Sequence, residues 1–150
     1  MASRYRRVNI DGKSLFKTET RKTAAALLPG TFAVINGSDL FAQATAVVGR
    51  MYVIDAAHHE GLEIRDAVPS GHSAIGNYVE EGRELAVLMA AGTYTKDQPI
   101  TVSSTGRAIP VPTAAGTYSV IGYSQDAATI ATGETDFIRI RIRASSVTVA

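Results

Sequence analysis

The residue to weigh first as a nucleophile is Ser73, which stands in Gly71-His72-Ser73-Ala74-Ile75 and so follows the opening of a G-x-S-x-G hydrolase elbow. That elbow needs small residues on both sides, because its serine sits in a strained, crowded strand-to-helix turn. Here Ile75 occupies the place of the second glycine, Gly76 arrives one position late, and no helix-forming stretch follows. Pro69-Ser70-Gly71-His72 reads instead as a turn between strands. His58-His59-Glu60 is the one cluster of metal-ligating types, but it lacks the i, i+4 spacing of H-E-x-x-H. Neighbouring residues of a strand point to opposite faces, so a polar loop is the better reading. Glu80, Glu81 and Glu84 flank Gly82 in a turn-like stretch where solvation is the ordinary state of carboxylates. Neither phosphate-cradling glycine pattern occurs, and the absence of cysteine removes disulfides, thiolate metal sites and thiol nucleophiles. No enzyme activity, cofactor or metal is expected.

The elements that position these residues are β-strands. From Leu28 onward, breakers recur at Pro29-Gly30, Asn36-Gly37, Gly49, Gly61, Pro69-Ser70-Gly71, Gly82, Gly92, Gly106, Gly116, Gly122 and Gly133. Short apolar or alternating runs separate them, the signature of a sandwich or barrel. Strands are expected at 31–35, 40–47, 50–55, 62–65, 74–79, 85–89, 99–102, 108–111, 118–123 and 136–143. The clearest is Phe137-Ile138-Arg139-Ile140-Arg141-Ile142-Arg143, whose period-two alternation puts three isoleucines on one face and three arginines on the other. Only Thr20 to Leu28, with Ala24, Ala25 and Ala26 before Pro29-Gly30, has helical character, and one short helix is allowed there. No repeat of useful length is visible. The fold class is therefore all-β, a sandwich or barrel with an extended N-terminal arm and at most one short helix.

Charge divides the 150 residues unevenly although the net is +1. Residues 1 to 25 carry seven basic side chains against two acidic ones, net +5, and the remainder is −4. The expected organisation is a basic arm over 1–27 and a β-rich body over 28–150. Such arms bind acidic protein surfaces or nucleic acid, and with only Tyr5 and Phe16 as interleaved aromatics, nucleic acid is the poorer fit. No apolar run approaches the roughly 20 residues of a membrane helix, so no membrane partner is expected. No apolar stretch follows Arg4, Arg6 and Arg7 as a signal peptide requires.

The order of features from Ile64 to Ile142 resembles the decoration, or cement, proteins of tailed-phage heads. The matching residues are Ile64-Arg65-Asp66-Ala67-Val68-Pro69-Ser70-Gly71, Leu85 to Gly92, Lys96 to Val102, Ser103 to Arg107, Tyr118 to Ala127 and Ile138 to Ile142. The resemblance implies a β-sandwich or barrel, jelly-roll-like in some members. It also implies a structural virion protein, made in the host cytoplasm, that sits on the outer surface of the capsid at junctions between major capsid proteins and stabilises the shell. Its partners would be the major capsid protein and its own copies, as a dimer or trimer. The arm is the part expected to contact the capsid, through Arg4, Tyr5, Arg6, Arg7, Val8, Ile10, Lys13, Leu15, Phe16 and Lys17. Another head or tail component, or a nucleic-acid-binding β-barrel, is the alternative.

Overall fold

The computed structural model describes residues 2–10 and 17–150. Its strands are β1 (Thr18–Lys22), β2 (Phe32–Ile35), β3 (Phe41–Gln43), β4 (Tyr52–Ile54), β5 (Ser73–Tyr78), β6 (Glu84–Tyr94), β7 (Pro99–Val102), β8 (Ala108–Pro110), β9 (Gly116–Ser124) and β10 (Ala128–Val149). They form two antiparallel sheets, ordered β1-β5-β4-β2-β3 and β6-β10-β9-β7-β8. The two sheets pack face to face as a β-sandwich. Phe32 and Val53 of the first, with Met51 just before β4, meet Leu85, Val87, Met89, Ile100, Ile121, Ile138, Ile140 and Ile142 of the second.

The alternation of β10 holds in space. Ile138 and Ile140 are fully buried and Ile142 is nearly so, while Arg139 is half-buried and Arg141 and Arg143 are exposed. Burying each isoleucine contributes about 1.5 to 3 kcal/mol. β10 is the spine of the second sheet. It pairs β6 from Ala128 to Arg141 and β9 from Ile140 to Val149, so Ile140 is flanked by Leu85 on one side and Ser124 on the other.

Three expectations are corrected. Thr20 to Leu28 contains no helix, because Thr18, Thr20 and their neighbours join β1 and pair with Asn77 to Ser73 of β5. Ala24, Ala25 and Ala26 are exposed, and so short an alanine segment without a buried face does not sustain a helix. The run 62–65 is a turn rather than a strand; Ile64 is buried there against Ala56, Leu88 and Phe137. β6 and β10 are longer than their apolar runs, extending through Thr, Ser and Ala residues that carry no strong alternation.

Gly30 shows how tightly the edge of β6 is closed. Its φ is +81°, and a Cβ there would lie 2.6 Å from the Phe137 ring and 2.9 Å from the Leu88 amide. A side chain is therefore excluded, and the Gly30 carbonyl instead accepts from Leu88 N at 2.9 Å.

Candidate interaction surfaces

The residues that suggested chemistry do not converge on a reaction centre. Ser73 opens β5 opposite Lys22 after the turn at Gly71, whose φ is +79°. His58, His59 and Glu60 form one exposed 3₁₀ turn, and Glu60 pairs with His72 Nδ1 at 3.0 Å. Among the described residues, no three ligating side chains stand close enough to share a metal ion. The molecule presents surfaces, and two of them are unusual.

The first is the N-terminal segment, held along the edge of β6 by carboxylates far away in sequence. Arg4 N donates to Asp136 Oδ1 at 3.0 Å, the Tyr5 hydroxyl to Asp126 Oδ2 at 2.8 Å and Val8 N to Asp55 Oδ1 at 3.3 Å. Ala86 N donates to the Val8 carbonyl at 3.0 Å, and Asn9 bridges Leu85. Burial, with the bond to Asp126 and its negative charge, raises the Tyr5 phenol above its ordinary pKa. Of the residues expected to contact a capsid, Val8 is fully buried in the sandwich core, and Tyr5 and Ile10 pack against the cluster formed by Ala56, Ile64, Ala86, Leu88 and Phe137. Arg4, Arg6, Arg7 and Lys17 are exposed; Arg4 also faces Asp126 at 4.0 Å, and Lys17 pairs with Glu80. Lys13, Leu15 and Phe16 lie outside the described residues. On the same face, Arg141 pairs with Glu84 at 2.9 Å, and Arg139 reaches Asp126 at 3.8 Å.

The second surface is a two-stranded ribbon that leaves the sandwich. Beyond a bulge between Ile142 and Ser145, β10 pairs only with β9, Ser145 to Val149 lying opposite Val120 to Gly116. A bulge of this kind redirects a strand and increases its twist. Gly116, Thr117, Ser119, Ser145, Ser146 and Thr148 are exposed, and Tyr118, Val147 and Val149 are half-buried.

One copy of a five-residue repeat lies at this ribbon, and the other lies at the far end of β10. Ala-Ala-Gly-Thr-Tyr occurs at 90–94, in β6, and again at 114–118, entering β9. Both copies fold alike. The glycines have φ of +155° and +154°. Each tyrosine curls back over its glycine and donates to the carbonyl four residues earlier, Tyr94 to Ala90 at 2.6 Å and Tyr118 to Ala114 at 3.0 Å. Each threonine hydroxyl meets one on β10, Thr93 with Thr129 at 3.4 Å and Thr117 with Thr148 at 3.1 Å. The two copies thus clasp opposite ends of β10. An exact pentapeptide match was the available signal, too short to imply a repeated domain.

The chain matches a family model described as XM1 gp53 minor capsid protein over residues 2–142. No curated protein matches the sequence.

Proposed function

Because the chain belongs to the XM1 gp53 minor capsid protein family, a family of structural virion proteins, we propose that it is a decoration protein that binds the outer surface of a phage capsid. On this reading it sits at junctions between major capsid proteins, stabilises the shell and associates with its own copies as a dimer or trimer. The observation that carries the proposal is the family match across nearly the whole chain. The all-β architecture supports it, since a shell component needs an extended, rigid contact surface rather than a pocket.

On this reading attachment belongs to the exposed basic side chains within residues 1–27, presented by a sandwich to which β1, Val8 and Leu27 themselves contribute. Arg6 and Arg7 are exposed beside a stretch anchored at Tyr5 and Val8. The anchors hold the guanidinium groups at the surface of a rigid sheet, which lowers the ordering cost of binding. Val8, being in the core, acts through this positioning rather than by contact.

The test is a pelleting assay with undecorated capsids. Arg6→Glu/Arg7→Glu should fold normally and lose at least about tenfold in affinity, a change of about 1.4 kcal/mol. Raising salt from about 0.1 M to about 1 M, which shortens the Debye length from about 10 Å to about 3 Å, should also lower occupancy of the native protein. Undiminished binding by the double variant at both salt concentrations would remove the basic segment from the contact.

A further inference from the structure

We propose that the free edge of β10, residues Ser145 to Val149, is a two-fold interface that pairs antiparallel with the same edge of a second copy of this chain. The proposal deepens, and rests on, the reading of the protein as a self-associating shell component.

An unpaired strand edge offers a row of N–H and C=O groups to any passing strand, and proteins guard such edges with charge, proline, brevity or cover. Four edges of this molecule are guarded in those ways. β1 carries Glu19, Arg21 and Lys22. β3 has three residues and is bridged at Phe41 by Thr23. β8 is equally short and ends on Pro110. β6 is covered by Val8, Asn9 and Gly30. The ribbon has none of these devices. Neither 113–119 nor 145–149 contains a charged residue or a proline; the nearest charges are Arg143, two residues before Ser145, and Glu81, which caps only the amide of Ala144, at 2.6 Å.

Three features favour a second copy as the occupant. A two-fold antiparallel pairing places residues opposite themselves or near neighbours, so a charged segment would repel itself; directly opposed like charges are destabilising. With the axis at Val147, Val147 faces its counterpart and Ser145 faces Val149, so every pair is uncharged. A two-stranded ribbon is marginal in water, whereas three or more strands are not; the second ribbon completes a four-stranded sheet. Finally, the edge runs into a groove of ≈ 360 Å³ lined in part by Val47, Val48, Val79, Ile121, Ile142 and Ala144. Val48 is 48% exposed, the one large apolar side chain left so open among the described residues. Val149 of the second copy, opposite Ser145, arrives beside the Ala144 end of that groove.

The experiment is sedimentation equilibrium on the full chain without capsids, at about 0.1 mM, a concentration that detects weak dimers. The native protein should be dimeric. Val147→Lys and Val147→Glu should each be monomeric, at least about tenfold weaker in self-association, with the Tm of the native protein when all are diluted until they are monomeric, because the ribbon lies outside the core. Mixing the two variants should restore a dimer, since a lysine then faces a glutamate across the axis. A monomeric native protein, or variants that dimerise as before, would overturn the proposal. So would monomeric variants that fail to rescue one another, since that excludes a two-fold contact at Val147. Capsid pelleting separates this idea from the wider reading: a monomer that pellets refutes only the interface, and a dimer that never pellets refutes only the capsid role.

Discussion

Two copies of Ala-Ala-Gly-Thr-Tyr hold the two ends of β10 with the same backbone turn and the same hydrogen bonds, yet they differ in what covers them. Tyr94 is 5% exposed and packs with Ile130, Val87 and the rest of the sandwich core. Tyr118 is half-buried on a ribbon that no third strand borders. Five residues therefore specify the local geometry, the tyrosine folding back onto its glycine, but not its environment. Burial is decided by the partners that the topology delivers, which is why the second copy remains a surface and the first is structure.

The largest effect is expected between the two copies. Ile140 is the point where β10 is flanked by both β6 and β9, and Ile140→Asp would bury a carboxylate without a partner. A loss above about 4 kcal/mol is expected, a large share of the roughly 5 to 15 kcal/mol that holds an ordinary domain folded. Arg141→Ser, one residue on and exposed, should cost less than about 1 kcal/mol even with its Glu84 pair broken. Urea unfolding of both variants measures the contrast. Equal losses would mean that β10 does not present alternate faces to core and solvent.

Next in size is the tyrosine pair itself. Tyr94→Ala removes a ring from the core and should cost about 3 to 5 kcal/mol, whereas Tyr118→Ala should cost about 1 kcal/mol or less. Similar costs at both positions would show that the ribbon is as tightly packed as the sandwich in solution, and would remove the contrast between the two ends of β10.

The parts of this fold that could be read from sequence are those governed by neighbours along the chain. The Ile138-Ile140-Ile142 face and the turn before Ser73 rest on alternation and on turn residues, and both stand in the structure. β1 was hidden because its charged and threonine residues are held by distant partners: Glu19 accepts from the hydroxyls of Tyr52 and Tyr78, each at 3.2 Å. The docking of the N-terminal segment was equally hidden. Charge excess marks Arg4 to Arg7 as an arm, but Asp126 and Asp136, which hold Arg4 and Tyr5, come more than a hundred residues later. The ends of β10 were missed because Thr, Ser and Ala alternate without contrast in polarity. The interaction surfaces were therefore less legible than the core, since they depend on what is left uncovered after folding.

The smallest expected effect concerns one oxygen atom and depends on pH. The Tyr94 hydroxyl donates to the Ala90 carbonyl at 2.6 Å, so Tyr94→Phe should cost about 1 kcal/mol near neutrality. Tyr118→Phe, whose bond to Ala114 is exposed, should cost less than about 0.5 kcal/mol. Burial raises the Tyr94 phenol above its ordinary value of 10.0, because the phenolate would be desolvated. In the unfolded chain the same group ionises at that ordinary value, so above pH 10.0 the unfolded state releases a proton that the folded state retains. The stabilising contribution of this group is thus complete below pH 10.0 and declines as pH rises from there through the raised folded pKa. Tyr5, Tyr52 and Tyr78 are raised too, but they are present in both proteins and cancel in the difference. The advantage of the native protein over Tyr94→Phe, measured by urea unfolding at about pH 8 and about pH 10.5, should therefore shrink at the higher value. An advantage that stays constant or grows would mean that the Tyr94 hydroxyl reaches water, and that both copies of the repeat are surface features.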